Sequence, residues 1–177
     1  MKFERKITKE AVNELPLYRY EGTIVMIRTA AEAEEAAERL SAAPYIGIDT
    51  ETRPAFKKGQ NYKTALLQLA LPQTVFLMRI NQVGLLQPVK AVLEDAKVAK
   101  IGIAIRDDMK ELGAFGPITP RNFVDLNQYC KKHGFESIGA RKLTALILGL
   151  RISKRQQLSN WEQPRLTPQQ IAYAATD

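Results

Sequence analysis

Cysteine is almost missing from this chain, with Cys130 alone among 177 residues. One thiol makes no internal disulfide and no thiolate zinc framework, so the composition fits a reducing compartment. Cys130 itself reads as a small buried apolar residue. His133 is the only histidine; beside Lys131, Lys132 and Gly134 it reads as a cation at a helix end rather than a catalytic base. Long apolar runs are absent too. No segment approaches membrane-spanning length, and Met1 to Glu14 holds no signal-peptide core, so a cytoplasmic protein without membrane attachment is expected. No repeat, low-complexity tract or Gly/Ser linker divides the chain, which makes one compact domain the default.

What is present is an ordinary globular composition, 45% hydrophobic and 25% charged, in which 26 Lys and Arg outnumber 19 Asp and Glu for a net charge of +7. That balance favours a polyanionic partner without identifying one.

The pattern along the chain alternates strands and helices. Thr8 to Leu15 predicts a short helix stopped by Pro16, and the β-branched run Thr23 to Ile27 a strand at the sheet edge. Thr29 with Glu32 forms a capping box for an Ala/Glu-rich helix through Leu40. Tyr45 to Asp49 is apolar nearly throughout, as a central strand covered on both faces should be. Thr64 to Leu71 and Thr74 to Ile80 read as a hairpin around Pro72-Gln73. Further elements follow: a helix over Pro88 to Asp95, a strand over Val98 to Ile103, a helix over Asp107 to Phe115, a strand at Phe123 to Asp125 leading into a helix through Lys132, and a Leu-rich helix over Arg141 to Leu150. Thr167-Pro168-Gln169-Gln170 caps a closing helix that carries Tyr173 and Asp177 four residues apart on one face. A meander followed by βα units predicts an α/β fold, a mixed sheet flanked by helices.

Three segments carry chemistry. Alternate residues of a strand share a face, so Asp49 and Glu51 can converge while Thr50 points away. In the strand-turn-helix Lys100 to Leu112, an acid at the junction can face the end of the first strand. Asp108 is preferred over Asp107 because Leu112, one turn later, can anchor that side of the helix in the core. The third segment is Tyr173-Ala174-Ala175-Thr176-Asp177. Four carboxylates and a phenol in suitable local structures match what two-metal phosphodiester hydrolysis needs, hard oxygen ligands for two divalent cations about 4 Å apart. Such a cluster would repel itself without cations.

Together these segments resemble the three motifs of the DEDD exonuclease superfamily in its tyrosine-bearing branch, most closely the Werner-syndrome-type exonuclease domain, with ribonuclease D as a near relative. Leu66-Leu67-Gln68-Leu69, Asn122 to Leu126, and Ser159-Asn160-Trp161 with Leu166-Thr167 support the likeness, which covers Tyr45 to Asp177. The resemblance implies a ribonuclease H-like, mixed five-stranded sheet with an N-terminal edge extension: residues 1–44 packed on an exonuclease domain at 45–177. The family's motif-three helix continues beyond its aspartate, so this stretch is expected to be cut short at Asp177.

It also implies 3′-5′ hydrolysis of nucleic acid bearing a free 3′ end, with release of 5′-mononucleotides. Asp49, Glu51 and Asp177 would hold one metal, Asp49 and Asp108 would hold or position a second, and Tyr173 would orient the attacking water; all-oxygen ligation selects Mg2+ or Mn2+. DNA is the favoured substrate, with RNA processing of the ribonuclease D kind, or an inactive nucleic-acid-binding module, as alternatives. Lys57, Lys58, Lys63 and Tyr62 could track and stack on a strand, and Lys154 and Arg155 could meet phosphates. Trp161 reads as a packing residue.

Overall fold

The computed structural model describes residues 4–177. Its centre is one sheet in the order β1-β4-β3-β2-β5-β6, comprising β1 (Thr23–Ile27), β2 (Tyr45–Thr52), β3 (Thr64–Leu71), β4 (Thr74–Met78), β5 (Ala99–Gly102) and β6 (Phe123–Asp125). The sheet is α/β and mixed as expected: β2, β3 and β4 form the antiparallel meander, while β5 and β6 run parallel to β2. It has six strands, however, not five. The N-terminal edge element is a full ladder member, with β1 pairing parallel to β4 from Thr23↔Thr74 to Ile27↔Met78.

The helices are α1 (Lys9–Glu14), α2 (Ala30–Ser41), α3 (Ile80–Val83), α4 (Gln87–Glu94), α5 (Arg106–Leu112), α6 (Leu126–Lys132), α7 (Ala140–Leu148) and α8 (Pro168–Thr176), with a 3-10 turn at Gly113–Phe115. Both sequence-read capping boxes form, Thr29 with Glu32 on α2 and Thr167 with Gln170 on α8. The second hairpin strand stops at Met78 rather than Ile80, because Arg79 leaves the extended region and Ile80 opens α3. No described helix is long and apolar enough to cross a membrane.

Strand alternation sorts the core into two layers. Ile46, Ile48, Leu67, Leu69, Phe76 and Met78 pack with Ala33, Ala36 and Leu40 of α2, Val89 and Val92 of α4, and Leu112 of α5. Residues before position 45 therefore share this core. On the other face Ala65, Leu66, Val75 and Leu77 meet Trp161 and the Tyr173-Ala174-Ala175 stretch of α8. Small alanines let α8 lie close to the sheet.

Two local features place the acid-bearing segments. Gly102 ends β5 where an added Cβ would stand 2.5 Å from the Ile48 carbonyl oxygen, so only glycine lets the strand-to-α5 turn approach β2 this closely. Ala104 then turns the chain with a positive φ of 59°, its N–H donating to Asp125 Oδ1 at 3.2 Å. The β2/β3 ladder slips between Glu51 and Thr52: Glu51 faces Leu66 but Thr52 faces Thr64, leaving Ala65 as the extra residue.

Candidate active site

Asp49 and Glu51 lie on the α8 face of β2, and α8 brings Asp177 to them. One carboxylate oxygen from each of Asp49, Glu51 and Asp177 can be chosen so that all three lie within 4.8 Å of one another. Asp49 is half-buried, Glu51 is 7% exposed and the Asp177 side chain 6% exposed. Tyr173, one turn before Asp177, is buried beside them, its ring 5.9 Å from that of Trp161. Trp161 is fully buried, in keeping with a packing role.

Burial and mutual repulsion set the protonation of this group. Burial, then the charge of Asp177, raises Asp49 to about 7, against the opposing hydrogen bond from the Thr50 N–H. Glu51 rises to about 9, by burial first and then by Asp49 and Asp177. Burial, a hydrogen bond with Asp177 and the surrounding negative charge hold the Tyr173 hydroxyl far above its ordinary value. Carboxylates forced together and out of water fit a hard divalent cation, whose charge would reverse the cost of ionising them.

Asp108 stands apart from these three. Thr50 does point away from Asp49 and Glu51, as strand alternation requires, and its hydroxyl donates to Asp108 Oδ1. Asp108 thus approaches β2 from the α5 side, while its charge still reaches Asp49 and Glu51. Its carboxyl is also raised, by burial first, with the Thr50 bond opposing. Neither Asp107 nor Asp108 caps α5, whose N-cap position is Ile105; Leu112 is buried as the anchor.

Lys154 is in the site itself. Its ammonium donates to both Asp177 oxygens, at 2.8 Å and 2.6 Å. Lys57 and Tyr62 instead line a separate groove with Arg53, Phe56, Leu158 and Asn160. Lys57, Lys58 and Lys63 are exposed, and the Arg53 guanidinium sits 4.6 Å over the Tyr62 ring. Arg155 lines another cavity, with Tyr18 and Arg19. Cys130 is buried, and His133 closes α6, its Nδ1 2.8 Å from the Tyr129 carbonyl.

Two supports were not assigned from sequence. Gln68, opposite Asp49 in the ladder, donates from Nε2 to the Ala174 carbonyl at 2.9 Å and so fastens α8 to the sheet beside the acids. A lone amide in the apolar run Leu66 to Leu71 was the available signal. Arg79, 4% exposed, reaches the carbonyls of Trp161 and Gln163 at 3.3 Å and 2.7 Å, fixing the segment that leads into α8.

An α/β sheet that brings carboxylates and a protonated phenol into one cavity suits the class of phosphodiester hydrolases. The chain belongs to the 3′-5′ exonuclease family, whose pattern matches residues 24–177. Among its relatives, a 3′-5′ exonuclease of Arabidopsis thaliana is 30% identical over 92% of this chain and 62% of its own length. The bifunctional 3′-5′ exonuclease/ATP-dependent helicase WRN of Mus musculus is 28% identical over 98% of this chain and 13% of its own. Ribonuclease D of Gluconacetobacter diazotrophicus is 32% identical over 86% of this chain and 39% of its own. The chain therefore spans less than two thirds of each of these relatives. The solved structure of Escherichia coli RNase D superposes with a TM-score of 0.77 at 24% identity, over 86% of this chain and 40% of that one. A Trypanosoma brucei RNase D solved with RNA U12 gives 0.76 at 18% identity, over 88% and 59%. These likenesses show the fold.

Proposed function

We propose that this domain hydrolyses nucleic acid from the 3′ end, releasing 5′-mononucleotides, with two hard divalent cations, Mg2+ or Mn2+. The carrying observation is the convergence of Asp49, Glu51 and Asp177 within 4.8 Å. Asp49, Glu51 and Asp177 would hold one cation, and Asp49 with Asp108 the other. Bound there, the cations supply an activated water and neutralise charge on the attacking and leaving oxygens.

The chain's own groups do the rest. Tyr173 stays protonated at neutral pH, so its hydroxyl orients water by hydrogen bonding and does not act as a base. Thr50 holds Asp108 beside β2, and Gln68 keeps α8, with Tyr173 and Asp177, at its distance from Asp49. All five matched residues are present, which argues against an inactive binding module.

DNA is the favoured substrate, as the resemblance of the three motifs to the Werner-type domain implies. RNA is the second reading, supported by the ribonuclease D relative and by the RNA-bound neighbour. The test is incubation of 5′-labelled single-stranded DNA, 3′-recessed duplex DNA and RNA with Mg2+ or Mn2+. Products shortened stepwise from the 3′ end, with free mononucleotide, are expected. Intact strands of every kind under both metals would overturn the enzyme reading; cleavage of RNA alone would replace the substrate.

A further inference from the structure

We propose that Lys154 is a displaceable cation built into this site: its ammonium pairs with Asp177, yields that carboxylate to the divalent cation, and then contacts the phosphate of the bound strand. The inference rests on the nuclease reading.

The starting point is that Asp177 has two claimants. Lys154 Nζ lies within hydrogen-bond distance of both its oxygens. The same carboxylate is also one of the three that can close on a cation. Any metal held by all three must take an oxygen that the ammonium now holds, and two positive charges on one carboxylate repel. One of them must withdraw.

The lysine is equipped to move. Its side chain is 30% exposed while that of Asp177 is 6% exposed, so the aspartate is fixed and the ammonium has room. It springs from the irregular segment between α7 and α8 rather than from a helix. Withdrawal leaves it in the same cavity, of about 590 Å³, that Asp49, Glu51, Tyr173 and Asp177 line. A phosphodiester presented to those carboxylates must occupy that cavity. Lysine suits both partners, because a compact ammonium on a flexible stem acts as a point charge, whereas an arginine fork would lock onto the carboxylate.

A purely structural ion pair would hold the 152–157 segment to α8 and nothing more. The two readings diverge when Lys154→Met is compared with the wild type. Without nucleic acid, calorimetric titration should find Mn2+ bound about tenfold more tightly by the variant, since the competing charge is gone and Asp177 is left unpaired. At saturating Mn2+, the variant should bind a 5′-mononucleotide about tenfold more weakly, having lost its phosphate contact. Lys154→Gln should follow Lys154→Met, and Lys154→Arg should show no tightening toward Mn2+. Unchanged or weaker Mn2+ binding in Lys154→Met and Lys154→Gln, or undiminished nucleotide binding, overturns the proposal. A wild-type chain that takes up no Mn2+ removes the nuclease reading instead, and the proposal with it.

Discussion

The carboxylate cavity and the basic groove beyond β2 are built on opposite principles. In the first, Asp49, Glu51 and Asp177 project from a central strand and a packed helix, and Glu51 and the Asp177 side chain are almost closed to water. In the second, Lys57 lines the groove from an exposed loop that Lys58 shares, with Phe56 76% exposed beside Leu158 at 67%. Under the proposed function, the difference follows from what each sign of charge must do. Metal ligands need fixed oxygens, which only regular structure supplies, and their desolvation strengthens the attraction for a cation. Cations that follow a polyanion need only be nearby and hydrated, and a loop serves.

Substitution should break this comparison unequally. Asp49→Asn or Asp108→Asn should leave the fold intact and lower turnover by about a thousandfold or more, read in single-turnover hydrolysis, because a ligand to the reacting centre is lost. Equal activity in either would remove its assigned role. Tyr173→Phe should slow the same assay by about a hundredfold, the scale of one positioned proton-bearing group.

The pH response should also separate the two regions. Asp49 and Glu51 have folded pKa values raised to about 7 and about 9. Folding holds their protons more tightly than the unfolded chain does. Their contribution to stability is therefore full below the ordinary carboxylate range and is lost as pH rises through about 7 and then about 9. Thermal melts in chelator should fall across that window, and Mn2+ should restore them. Metal affinity should rise over the same interval, by about tenfold per pH unit for each proton displaced. A flat melting profile would contradict the burial of these acids.

The smallest effect belongs to the groove. Lys57→Ala with Lys58→Ala should weaken strand binding only about two- to fivefold near physiological salt and make it less salt-sensitive, with turnover of bound substrate unchanged. A collapse of turnover would place the loop inside the chemistry and dissolve the contrast.

How much could be read beforehand divides along the same line. Both capping boxes, the Pro72-Gln73 hairpin and the Asp49-Glu51 pairing on one face are local, so neighbouring residues encode them. The pairing of β1 with β4, the Gln68 link to Ala174 and the Lys154 grip on Asp177 join distant parts of the chain. Nothing in local periodicity reports such contacts. Asp108 is intermediate: its place at a strand-helix junction is legible, but its partner, Thr50, is not.

The slip in the β2/β3 ladder after Glu51 marks the boundary between the two regions. Gly47 to Glu51 of β2 each face a residue of β3; past Glu51 the surplus Ala65 has no opposite number on β2 and is wholly buried in the core. Asp49 and Glu51 thus sit on the regular part of the ladder, and the 53–63 loop begins only beyond its break.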